Sequence, residues 1–134
     1  MTNEDFSRLE GIQQHIESSK FNDFEGSLQS IYEEIVKLNA WKSFSGKMMA
    51  EYKRQLNDTK VKAYQNLIFS QRSTGHDISP SIAKDYISGK CGELQYFYDF
   101  AERVNSSCSY SIDSLRSILS ALKQEMATIN YQGQ

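Results

Sequence analysis

The chain has 134 residues, 39% of them hydrophobic and 24% charged, with a net charge of −2. That length suits one domain with a modest core; seven glycines and a single proline are too few for a loop-rich β-sandwich or a Pro/Gly linker, and 12% aromatic content excludes a disordered chain. No apolar run approaches the roughly 18 residues that a membrane-spanning helix needs, so no membrane association is expected.

Residues 1–20 read as a short N-terminal helix. Thr2 is its expected N-cap, Asp5 stands in the capping-box position, and Phe6, Leu9, Ile12 and Ile16 follow at helical spacing. Gly11 weakens the pattern and "SSKFND" ends it. The same stretch has neither the basic nor the apolar region of a secretory signal, so a cytoplasmic, reducing location is expected.

Residues 22–72 predict a helical hairpin or a kinked helix whose second half is basic. Phe24, Leu28, Ile31, Ile35 and Leu38 step by 4, 3, 4 and 3, the seam of a helix that packs on another helix. In "NAWKSFSG" the residues Asn39, Ser43, Ser45 and Gly46 predict a turn or kink. From Lys47 to Ser70 the apolar positions Met48, Met49, Tyr52, Leu56, Ala63 and Leu67 share one helical face.

"SQRSTGHDISP" is the clear loop, and Ser79 with Pro80 supplies an N-cap and a first-turn proline for the next helix. Residues 79–130 form a long C-terminal helical region with a bend expected at "SGKCG", where Gly89 and Gly92 lower helix propensity. Beyond it Leu94, Phe97, Ala101 and Val104, then Cys108, Ile112, Leu115, Leu119, Leu122, Met126 and Ile129, step by threes and fours with one double four. That double four is a stutter in a heptad-like seam. No alternating strand pattern occurs. The expected fold is all-α: one domain over 1–134, an elongated bundle of about four helices with coiled-coil-like seams, assembling as an oligomer.

Catalytic and metal-binding patterns are missing from the sequence. There are two histidines, His15 and His76, and no Cys or His pair at metal-ligand spacing. "SFSGKMM" lacks the upstream glycine and the following Ser or Thr of a phosphate-binding loop. Cys91 and Cys108 fall in one helical segment, about 25 Å apart along a continuous helix, too far for a disulfide with each other. Neither an enzyme nor a cofactor is expected.

Charge is the informative feature. Residues 1–44 carry a net −4, residues 45–73 a net +4 and residues 74–134 a net −2. On a helical wheel Lys42, Lys53 and Lys60 fall together on one flank with Tyr64 beside them, while Lys47, Arg54, Lys62 and Arg72 form a second stripe that also holds Glu51 and Asp58. Cations along a helix can follow a phosphate backbone, and interleaved aromatics suit single strands, on which each stacked base is worth roughly 1–3 kcal/mol. The competing reading is a solvated face that pairs with acidic N-terminal helices, since Glu25, Glu33 and Glu34 offer partners.

The order of features resembles the UvsY-like recombination mediators of T-even-type phages. The likeness begins at "YEEIVKLNAWKSFSGKMMAEYKR", a seam helix reaching a Trp and then a Lys-rich helix. It continues through "KAYQNLIFSQRSTGHD" and ends in the aromatic-rich "ELQYFYDFAERVNSSCSYSIDSLRSI", covering residues 28–128. The resemblance implies a non-enzymatic protein that binds single-stranded DNA and contacts a recombinase and a single-strand-binding protein, helping the first displace the second. It also implies a homo-oligomeric ring whose basic helices share one DNA surface. The nucleic-acid-binding positions would be Lys42, Lys47, Lys53, Arg54, Lys60, Lys62, Tyr64 and Arg72, with Lys60 and Lys62 foremost. Tyr96, Phe97, Tyr98 and Phe100 would be core or subunit interface, and Leu115, Leu119, Leu122 and Met126 the oligomer seam. With so few cations in each middle helix, weak binding by one chain would be raised by multivalency.

Two other readings compete. Trp41 in the turn of a helical hairpin is similar to the WXG-type substrates and partners of specialised secretion systems, although here the triplet is "WKS". A helical protein–protein adaptor explains the 4/3 seams equally well.

Overall fold

Serine and glycine set the helix boundaries. In the computed structural model, which describes residues 3–19 and 27–132, the chain forms α1 (Asn3–Ser18), α2 (Leu28–Thr74) and α3 (Pro80–Gln132). No strand occurs among the described residues. Thr2 and Phe24, expected as a cap and a seam residue, lie outside them. Ser27 caps α2, its Oγ accepting from the Ser30 N–H at 3.2 Å. Gly75 ends α2 with a left-handed φ of 69°, and its N–H donates to the Gln71 carbonyl at 2.9 Å. Ser79 then caps α3 through the Ile82 N–H at 3.3 Å, with Pro80 in the first helical position.

Among the described residues the helices number three where about four were expected. Residues 39–46, read as a turn or kink, are helical inside α2, and residues 89–92 are helical inside α3. The reason at 39–46 is local. Ser45 is fully buried, and its hydroxyl folds back to donate to the Lys42 carbonyl at 2.9 Å, a bond made within the helix. The Asn105 amide of α3 donates to the same carbonyl at 3.0 Å and to Ser45 Oγ at 3.1 Å. Small polar residues therefore admit a neighbouring helix there.

The chain packs as two compact units, Met1–Gly46 with Glu102–Gln134 and Lys47–Ala101. In the first, Leu9 and Ile12 of α1, Ile31 and Leu38 of α2, and Val104, Cys108, Ile112, Leu115 and Leu119 of α3 are buried. Polar contacts fasten α1 to its neighbours. His15 Nε2 lies 2.7 Å from Glu34 Oε1, the Arg8 guanidinium sits 4.0 Å from the Phe44 ring centre, and Arg103 reaches Glu17 at 3.7 Å. Glu34 is itself buried, and its other oxygen lies 3.6 Å from the Lys37 ammonium. A buried carboxylate is tolerable only with such partners.

In the second unit Met48, Tyr52, Leu56, Ala63 and Leu67 of α2 pack with Cys91 and Ala101 of α3. Tyr52 meets Phe97 ring to ring at 5.6 Å. Tyr32 with Lys123 and Lys42 with Asn105 in one unit, and Tyr52 with Phe97 and Lys62 beside Lys90 in the other, show α2 and α3 antiparallel within each.

Leu115→Ala should cost about 2–5 kcal/mol in urea unfolding, since a fully buried leucine leaves a cavity. The loss should be the same at all protein concentrations; a concentration-dependent loss would move Leu115 into a subunit interface. Cys108 gives a second check. Burial pushes its thiol up to about 11 from 9.0, with Lys42 acting in the opposite direction. Because thiolate is the reactive form, iodoacetamide at pH 8 should alkylate Cys108 at least about a hundredfold more slowly in the folded protein than in urea.

Candidate nucleic-acid interface

The predicted cations divide between the units. Lys42 belongs to the first, while Lys47, Lys53, Arg54, Lys60, Lys62, Tyr64 and Arg72 belong to the second. All eight are exposed. Residues 47–101 carry eight Lys or Arg against six acids, a net +2, and the rest of the chain holds −4. The uneven charge of the sequence thus separates by structural unit.

Exposure does not make these cations equivalent. Arg54 is held inside its own helix by Glu51, one turn back, and by Asp58 at 3.5 Å, one turn on. The hydrogen bond with Arg54 lowers the Glu51 pKa, and the same bond raises that of Arg54. Lys53 places its ammonium 5.5 Å from the Tyr98 ring centre, a cation–π contact across to α3. Lys47, Lys60, Lys62 and Arg72 have no acidic partner among the described residues. In the first unit Glu17 pairs with Arg103, and Glu34 with His15 and Lys37, while Glu25, expected as a partner, lies outside the described residues.

Lys60 and Lys62 stand on opposite sides of α2, as their separation of about 200° on the helix requires. Lys60 borders two hollows. One, about 560 Å³, is an apolar trough lined by Val61, Tyr64, Ile68 and Ile87. The other, about 390 Å³, runs along α3 past Cys91, Gly92, Gln95, Tyr96 and Asp99. Tyr64 and Tyr96 are each 57% exposed. Lys62 shares a smaller hollow of about 180 Å³ with Thr59, Asn66 and Lys90 of α3.

Two contributors are not evident from the sequence. Lys90 stands beside Lys62 and lies 5.5 Å from the Tyr86 ring centre, although it falls outside the basic segment, in the "SGKCG" stretch expected as a bend. Tyr96, grouped with Phe97, Tyr98 and Phe100 as core or interface, is the most open of the four. Nothing local separates an exposed aromatic from its half-buried neighbours when four lie within five residues; the helical phase relative to α2 does so.

The expected oligomer seam also divides. Leu115 and Leu119 are buried in the first unit's own core, Leu122 is half-buried, and Met126 is exposed, as are Ile129 and Tyr131 beyond it. Any apolar face offered at that end therefore begins after Leu119. Trp41, which the WXG reading places in a turn, is interior to α2, 4.9 Å edge-on from the His15 ring.

Among the described residues no three His, Cys, Asp or Glu side chains come together as a metal site, and no helix is long and apolar enough to cross a membrane. Comparison with protein-family models, with characterised proteins and with solved structures finds no match for this chain.

Proposed function

We propose that the chain is a non-enzymatic protein that binds single-stranded DNA on the Lys60 flank of residues 47–101. The observation that carries this reading is the combination at that flank: an exposed lysine with no ion pair among the described residues, between two exposed tyrosines, bordering an apolar trough on one side and a hollow of mixed polarity on the other. A phosphate backbone needs mobile cations, and bases need flat apolar platforms; the flank supplies both. Lys53 extends it, and Lys62 with Lys90 forms a secondary cationic edge.

The biological role follows the likeness of residues 28–128 to phage recombination mediators. In that role the protein holds a strand in the cytoplasm of its host while a recombinase displaces single-strand-binding protein. Several copies, joined through the α3 turns that expose Met126 and Ile129, raise a weak single-site affinity by multivalency.

Fluorescence anisotropy of a labelled single-stranded oligonucleotide tests the binding directly. If each chain neutralises about three phosphates, the affinity should fall roughly eighteenfold between about 50 and 200 mM salt, because the logarithmic slope for single strands is about −0.7 per phosphate. Lys60→Glu should abolish binding, Lys62→Glu should weaken it less, and Arg54→Gln should weaken it least, since Glu51 and Asp58 already hold that guanidinium. Absence of binding at the lower salt, with the helical circular dichroism intact, would sink the proposal. Glu51→Gln offers a gain of function: removing the acid that holds Arg54 should tighten binding severalfold.

A further inference from the structure

The 390 Å³ hollow holds a feature that backbone binding does not call for. Asp99 of α3 lines it together with Lys60 of α2, and the two form no ion pair with each other. An acid on a phosphate-binding face works against affinity unless it reads a base. Gln95 Nε2 donates to Asp99 Oδ1 at 2.9 Å, which holds the carboxylate and leaves Oδ2 with no partner among the described residues. Tyr96 forms one wall and is open enough to stack on a ring.

Gly92 supplies a second, independent observation. It sits in the interior of α3, where glycine lowers helix stability, and apart from its own stretch of helix backbone nothing lies within 4 Å of the place its Cβ would occupy. Packing within the chain therefore gives no reason for its missing side chain. Its consequence is empty space over the helix backbone in the same hollow as Lys60, Tyr96 and Asp99. The volume falls in the range of small-molecule sites, roughly 300–1,000 Å³.

We propose that the hollow between Lys60 and Asp99 is a nucleobase site selective for guanine, occupied by one base of a strand bound on the Lys60 flank. This site rests on the single-strand-binding reading. The selection is a matter of donors and acceptors. Guanine presents two adjacent N–H donors, N1 and N2, beside the O6 acceptor. An ionised carboxylate accepts from both donors while an ammonium donates to O6. Thymine offers one N–H between two carbonyl oxygens, and cytosine and adenine each set an amino group beside a ring-nitrogen lone pair. Each of these turns an acceptor toward Asp99. Only unstacked bases can present this edge, so the site suits single strands.

The test is competition anisotropy with oligo-dT carrying one central dG, dA or dC. The dG strand should bind about tenfold more tightly than the others, the size expected for one good bidentate pair. Asp99→Asn should erase that preference while retaining binding to oligo-dT. Gly92→Ala should raise Tm by a few degrees and yet weaken the preference, because the added methyl projects into the hollow over the helix backbone where the base would lie. Gly89→Ala also has nothing within 4 Å of its added Cβ but lies outside the hollow, so it should raise Tm and keep the preference.

Equal affinities for the three strands, with binding intact, would overturn the guanine site and leave strand binding standing. Calorimetry with free GMP against CMP separates the sources. GMP-selective binding by a protein that binds none of the strands would uphold the base site and overturn the strand reading. Failure to bind either strands or nucleotides would overturn both.

Discussion

An α-helix of 47 or 53 residues keeps its shape in water only where a neighbour covers its apolar seam, and that constraint organises this molecule. Tyr52 and Leu56 are covered by α3, and Val104, Cys108 and Leu115 by α2 and α1. Where the cover ends, so does burial: past Leu119 the side chains of α3 open progressively until Tyr131 is 82% exposed. The seam also governs the polar chemistry. Asn105 reaches the Lys42 carbonyl and Ser45 Oγ where the small, fully buried Ser45 lies against α3.

The same seam decides which charges remain available. A long helix presents its cations at fixed phases, and acids at three- or four-residue spacing occupy some of them. Arg54 is engaged in this way by Glu51 and Asp58, whereas Lys60 and Lys62 have no such neighbour among the described residues. Counting six basic residues between 45 and 73 therefore overstates the cationic surface. A polyanion meets the smaller set whose charge no carboxylate already satisfies, together with Lys90, which arrives from another helix.

Much of the architecture was legible. The spacing from Ala101 to Leu119 marked core positions throughout, while in the seam from Leu28 to Leu38 Ile31 and Leu38 are buried and Leu28 and Ile35 half-buried. "SQRSTGHDISP" marked the loop and its cap at Ser79, although α2 continues through its first five residues to Thr74. The misreading at 39–46 has a definite physical origin. Serine and glycine disfavour helix when judged locally, but a serine bonded to its own helix and covered by Asn105 leaves no polar group unsatisfied. Gly89 and Gly92 are likewise carried by the helix around them.

By itself the sequence determined the helical class, the seam faces and the location of the positive charge, because periodicity and composition act within a few turns. Only the tertiary structure decided that Leu115 and Leu119 are core while Met126 is surface, that Tyr96 is open while Phe97 packs on Tyr52, and that Lys60 and Asp99 line one hollow without pairing. These depend on the phase at which one helix meets another. Residues from Lys60 to Asp99 lie far apart along the chain, and the contact that relates them forms only when the seams close.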